Sequence, residues 1–104
     1  MASSRDRARF IGEGRALAEG LGDQRRLGWA LGYLAHLYSL LGEQARAIEA
    51  GESACAIAEA AGDLGLRVDA NNCLGQALQF AGDLRRAADA LRAAIALLQG
   101  ALLG

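Results

Sequence analysis

The chain of 104 residues has no proline, no lysine and one histidine, and aromatic residues make up only 5% of it. Each shortage removes a class of function. All basic residues are arginines, eleven against twelve carboxylates, spread along the chain with a formal net charge of -1. That balance argues against a nucleic-acid surface built on net charge. Cys55 and Cys73 are too few for a disulfide framework and are not spaced as C-x-x-C, so they are expected as buried free thiols. With a single His36 beside them, a tetrahedral zinc site lacks ligands, and neither a metal nor a cofactor is expected. No apolar run approaches the ~20 residues that span a bilayer, and residues 1–10 lack the apolar centre of a signal peptide. The expectation is a soluble, cytoplasmic chain with no membrane and no nucleic-acid partner. Val, Ile, Thr and aromatics are scarce, whereas alanine occurs 24 times and leucine 18 times, which leaves helices as the regular structure.

Fourteen glycines are at odds with so helical a composition, because each one inside a helix costs about 1 kcal/mol relative to alanine. Four of them stand at a fixed interval. A glycine followed by an acidic residue recurs every 20 residues, at Gly22-Asp23, Gly42-Glu43, Gly62-Asp63 and Gly82-Asp83. Glycine past a helix end can close the C-terminus in the left-handed conformation, and the acidic neighbour can cap the next helix. Four corners predict five helices of about 17 residues, each about 25 Å long, joined as antiparallel neighbours.

The segments between corners carry apolar stripes at helical spacing. The second segment has one face of Leu27, Leu31, Leu34, Tyr38 and Leu41 and another of Trp29, Tyr33, His36 or Leu37, and Leu40, so it is predicted to pack on two sides. In the third, Ala47, Ile48, Gly51, Ala54, Cys55, Ala58 and Ala61 share a face; in the fourth, Val68, Asn71, Leu74, Ala77, Leu78 and Ala81 do. The fifth presents Leu84, Ala87, Ala88, Leu91, Ala94, Ile95 and Leu98. Ser3 and Asp6 fit a capping box ahead of Phe10, Ile11, Ala16 and Leu17.

A second period of 40 residues lays Leu34-Ala35 on Leu74-Gly75, Tyr38 on Leu78, Gly42 on Gly82, Ala47 on Ala87 and Ala54 on Ala94. The repeating unit is then a helix pair, and a period of that length marks hairpins that stack to bury their faces. Leu31, Leu34-Ala35, Tyr38, Gly42, Ala47 and Ala54, with Asn71, Leu74-Gly75, Leu78, Gly82, Ala87 and Ala94 in the next unit, resemble the skeleton of the tetratricopeptide repeat family in a form of about 40 residues. Gly51 and Leu91 depart from that pattern, as does Asn71. The phrasing of the repeats is similar to the C-terminal helical arrays of large bacterial ATP-dependent signalling proteins. The resemblance implies an all-α, right-handed solenoid of stacked antiparallel hairpins in one domain over residues 1–104: residues 5–21 as the second helix of a repeat, 24–61 as one repeat and 64–100 as the next.

Nothing in the sequence assembles a catalytic centre. There is no phosphate-binding Gly-x-x-x-x-Gly-Lys and no strand to launch one, and neither cysteine lies in a nucleophile setting, so a noncatalytic protein is expected. The resemblance places the second and fourth segments on a concave side. Helical spacing then groups Trp29, Gly32, His36, Ser39 and Leu40 with Asp69, Asn72, Gln76, Gln79 and Phe80. Amide side chains carry both donors and acceptors and can hold the main chain of an extended peptide, with Trp29 and Phe80 as apolar anchors. The alternative expectation is that Trp29, Tyr33 and Phe80 are mostly core and the amides a solvated face. Arg25, Arg26 and Arg67 are the nearest candidates for a carboxylate clamp. The leading expectation is a scaffold for a peptide or protein partner. A second is a self-association module of a larger bacterial regulator, a homodimer joined at a stacking end that carries Leu91, Ile95, Leu98 and Leu102. A third is a small-molecule pocket between the helices.

Overall fold

The computed structural model describes the backbone of residues 4–103, and the side-chain surroundings of residue 20 and residues 22–103. Four helices follow one another: α1 (Ser4–Leu40), α2 (Gln44–Ala61), α3 (Leu64–Phe80) and α4 (Leu84–Leu103). No strand occurs among the described residues. The all-α class is as expected. The fifth helix is not there, because α1 runs through Gly22 without a corner.

The three corners that form share one geometry. Gly42, Gly62 and Gly82 take φ of 76°, 64° and 85°. At each, the glycine amide donates to the carbonyl three residues back and the next amide to the carbonyl five back, as in Gly62 to Glu59 at 3.2 Å and Asp63 to Ala58 at 3.4 Å. This is the Schellman closure of a helix end. Asp63 Oδ1 then accepts from the Leu66 amide at 3.1 Å, and Asp83 Oδ1 from the Arg86 amide at 3.2 Å, each capping the following helix. Glu43, one methylene longer, makes no such bond. Glycine permits the left-handed conformation without imposing it. At Gly42, Gly62 and Gly82 the flanking helices pack on each other, and that packing offsets the backbone hydrogen bonds given up in turning. Gly22 has the same dipeptide sequence and remains helical. The Ser3–Asp6 capping box and the stripe of Phe10, Ile11, Ala16 and Leu17 lie outside the residues whose side chains are described.

Alanine dominates the interior. Ala35, Ala47, Ala54, Ala58, Ala70 and Ala77 are wholly buried, and Leu66 and Leu78 are the largest side chains enclosed with them. The helices approach closely because small residues line their crossings. A Cβ on Gly28 would lie 2.7 Å from Leu66 Cδ2, one on Gly51 would lie 3.1 Å from the Leu74 Cα, and one on Gly75 would lie 2.9 Å from Leu91 Cγ. Among the described residues the buried face of α1 is therefore Gly28, Gly32, Ala35 and Ser39, at helical spacing. Against the expectation that α1 packs on two large apolar faces, Leu27, Trp29, Tyr33, Leu40 and Leu41 are all exposed.

In α2 the expected stripe holds, with Ala47, Gly51, Ala54 and Ala58 buried and Ala50 joining them. In α3 the buried set is Leu66, Ala70, Gly75, Ala77 and Leu78, and the expected Val68 and Asn71 are only partly buried. In α4, Ala87, Ala90 and Ala94 point inward while Leu84, Ile95 and Leu98 are exposed. Among the described residues that helix packs on α3, reaching α2 only through the Arg86–Glu52 pair, and leaves one side of its apolar surface uncovered. Helix α1 packs on both α2 and α3, and α2 also packs on α3.

Candidate interaction surface

The second half of α1 and the whole of α3 meet along a polar seam. His36 Nδ1 lies 2.8 Å from Gln76 Oε1 across 40 residues of sequence. With the amide oxygen accepting, the ring carries a proton on Nδ1. Further along, the place a Gly32 Cβ would occupy is 3.1 Å from Asp69 Oδ2 and 3.6 Å from Cys73 Sγ. The Cys73 thiol donates to Asp69 Oδ2 at 3.8 Å. Gly32 thus leaves room for a carboxylate and a thiol where a side chain on α1 would stand.

Burial, then the Asp69 carboxylate both by its charge and by accepting the thiol proton, push Cys73 up from 9.0 to about 11. Cys55 reaches about 11 through burial and the nearby Glu52 and Glu59 charges. Both thiols are free, and burial with the neighbouring carboxylates favours their protonated form at neutral pH.

Beyond the seam, the amides of α3 open outward. Asn72 and Gln79 are exposed and Gln76 is partly so. Gln76, Gln79 and Phe80 line an open hollow of about 480 Å³. Asn72, Cys73, Gln76, Gln79 and Leu91 line a neighbouring one of about 270 Å³. Phe80 is 50% exposed, and its carbonyl accepts from Gln44 Nε2 at 3.5 Å. On α1, Trp29 is 46% and Tyr33 65% exposed. Aromatic and amide groups are therefore on offer along the two helices, with the His36–Gln76 contact between them.

Ser39 does not belong to this surface. It is buried and its Oγ donates to the Ala35 carbonyl at 2.8 Å, bonding within its own helix. Of the other expected groove residues, Asp69 is occupied at the seam, Asn72, Gln76, Gln79 and Phe80 come together, and Trp29 lies on α1 with its side chain half free. Cys73 and Leu91, neither among the expected groove residues, line the hollow with the amides; the place of Cys73 at i+4 from Asp69 and i−3 from Gln76 is the signal that could have found it. Among the possible clamp residues, Arg25 pairs with Asp63 at 3.6 Å, and Arg26 with Asp23 at 3.0 Å. At the far end, Leu91 is taken up against Gly75, whereas Ile95, Leu98 and Leu102 are exposed.

Among the described residues no group of His, Cys, Asp or Glu could hold a metal ion, and no helix is long and apolar enough to cross a membrane. Comparison with family models, with curated proteins and with solved structures finds no match to this chain.

Proposed function

We propose that the protein is a noncatalytic interaction scaffold, working in the bacterial cytoplasm, that holds an extended peptide or a partner domain across α1 and α3. The observation that carries this reading is the concentration of exposed Asn72, Gln79 and Phe80 around Gln76 on α3, together with the half-free Trp29 and Tyr33 on α1. Amides along a helix can pair with the donors and acceptors of a peptide main chain, and exposed aromatic rings supply the area that dominates affinity. The 40-residue period, with α1 in contact with α3, supports reading the fold as stacked hairpins of the tetratricopeptide type, right-handed and solenoidal.

The test begins with a peptide selected from a displayed random library against the whole chain, titrated calorimetrically. Replacing Trp29, Gln76 and Phe80 together by alanine is expected to weaken that peptide by at least about tenfold. Unchanged affinity in a variant with an unaltered helical circular-dichroism spectrum rejects the site.

A second reading, self-association within a larger regulator, is favoured by exposed apolar surface that α3 leaves uncovered on α4: Ile95 at 54%, Leu98 at 47% and Leu102 at 84%. A light-scattering mass of one chain at all micromolar concentrations rejects it.

A further inference from the structure

The 40-residue shift that superimposes the hairpins also lays residues 4–21 on α2, residue for residue, with Gly22 and Asp23 on Gly62 and Asp63. What α2 does is therefore a template for what residues 4–21 can do. Helix α2 lies against the pair that follows it. Its Gly51 receives Leu74 of α3, its Ala54 and Ala58 pack on Leu66 and Ala70, and its Glu52 pairs with Arg86 of α4 at 3.0 Å.

The corresponding face of the α1/α2 pair is open. Leu31, Leu34, Tyr38, Arg46, Glu49 and Ala50 line a hollow there of about 220 Å³. Leu78 is 1% exposed beneath its neighbours, yet Tyr38, its equivalent, is only partly buried, and Leu34 is 37% exposed. The groove thus has the register of a helix seat without a helix in it.

We propose that residues 4–21 of a second copy of this chain fill that groove, so that two chains exchange arms reciprocally. This interface gives the self-association reading a specific form and rests on it. A chain's own arm is drawn away from its groove, because α1 continues as helix through Gly22 and extends the arm about 27 Å along its axis. A partner related by a two-fold axis places its arm in the groove while receiving one in return.

Charge agrees with this seating. Glu52 and Arg86 are 34 positions apart; the same offset sets Arg46 against Gly12, with Glu13 next to it, and sets Glu49 against Arg15. Glu49 thus meets an arm charge of opposite sign in register, while the position facing Arg46 is glycine with Glu13 beside it. The apolar contact equivalent to Gly51 with Leu74 becomes Ile11 with Leu34.

Two measurements on the full chain test the exchange. Light scattering of the unaltered protein is expected to give the mass of two chains, and Leu34→Glu, a change at a partly exposed position, is expected to halve it with helicity retained. A mass of one chain for the unaltered protein overturns both this interface and self-association. A mass of two chains that Leu34→Glu leaves unchanged overturns this interface and leaves self-association through α4 standing. In a background of Cys55→Ala and Cys73→Ala, mixing an Ile11→Cys chain with a Leu34→Cys chain under oxidised glutathione is expected to link one of each by a disulfide. Absence of that product overturns the exchange, as does an intrachain disulfide in the double variant without the interchain one, which would mean that the arm folds back at Gly22.

Discussion

His36 of α1 and Gln76 of α3, separated by one full 40-residue period, meet side chain to side chain at 2.8 Å. Residues at the same place in successive units thus touch across the seam, which fastens the two inner helices where the exposed amides begin. The pair is partly buried, so its loss is only partly made good by water. Gln76→Ala is expected to lower stability by about 1 kcal/mol, the usual net value of such a bond. A double-mutant cycle with His36→Ala, read by urea unfolding, checks it; additive single effects would mean the contact contributes nothing.

The helix-crossing glycines are expected to behave opposite to their propensity. Alanine at Gly51 gains about 1 kcal/mol of helix propensity. Its Cβ, however, would stand 3.1 Å from the Cα of Leu74, an atom that cannot rotate away. The net expectation for Gly51→Ala is a loss of about 1–2 kcal/mol through displacement of α3. Gly20→Ala, whose Cβ would meet nothing within 4 Å, is expected to gain about 0.5–1 kcal/mol. Thermal melts that move in the same direction for both substitutions would contradict this assignment.

Capping offers a change that should stabilise. Asp63 and Asp83 cap their helices and Glu43 does not, so Glu43→Asp is expected to raise stability by about 0.5–1 kcal/mol by supplying the missing bond. Asp63→Ala is expected to cost about 1 kcal/mol. Chemical denaturation of the two variants measures both.

The cysteines set an alkaline limit. Each has a folded pKa of about 11 against an ordinary 9.0, so both are protonated and neutral below pH 9 in folded and unfolded chains alike. Above that, the unfolded thiols ionise first and draw the chain toward unfolding. Stability is expected to be level up to about pH 9 and to fall between there and about 11. The part of the decline due to the thiols should vanish in the Cys55→Ala, Cys73→Ala double variant. Thiol reagents should likewise react slowly at pH 8 with the native protein and quickly in denaturant.

Much of the helix plan was readable from glycine spacing, and the reason is local: Gly42, Gly62 and Gly82 close their helices with backbone bonds spanning six residues. Gly22 carried the same signal and did not turn, because a glycine permits a corner whose formation depends on distant packing. The amides Asn72, Gln76 and Gln79 share the face that their spacing assigns them. Ser39 shared the spacing too, and its hydroxyl turned instead to the Ala35 carbonyl, a choice made by burial that periodicity does not contain.

Absence of proline and a surplus of glycine posed one question at the level of sequence, and composition and period together determined an all-helical chain of reversals. Which side of α1 and of α4 faces inward was decided only by tertiary packing. Leucine and aromatic stripes drew attention to Trp29, Tyr33, Leu84 and Ile95, yet the interior took Gly28, Gly32, Gly51 and Gly75 with the alanines and left those large side chains outside. The physical reason is distance: helices that cross on glycine and alanine come close enough to bury their backbones against one another. Such a contact depends on the two surfaces that meet, as Gly51 depends on Leu74 and Gly75 on Leu91, and a single helix read alone carries only one of them.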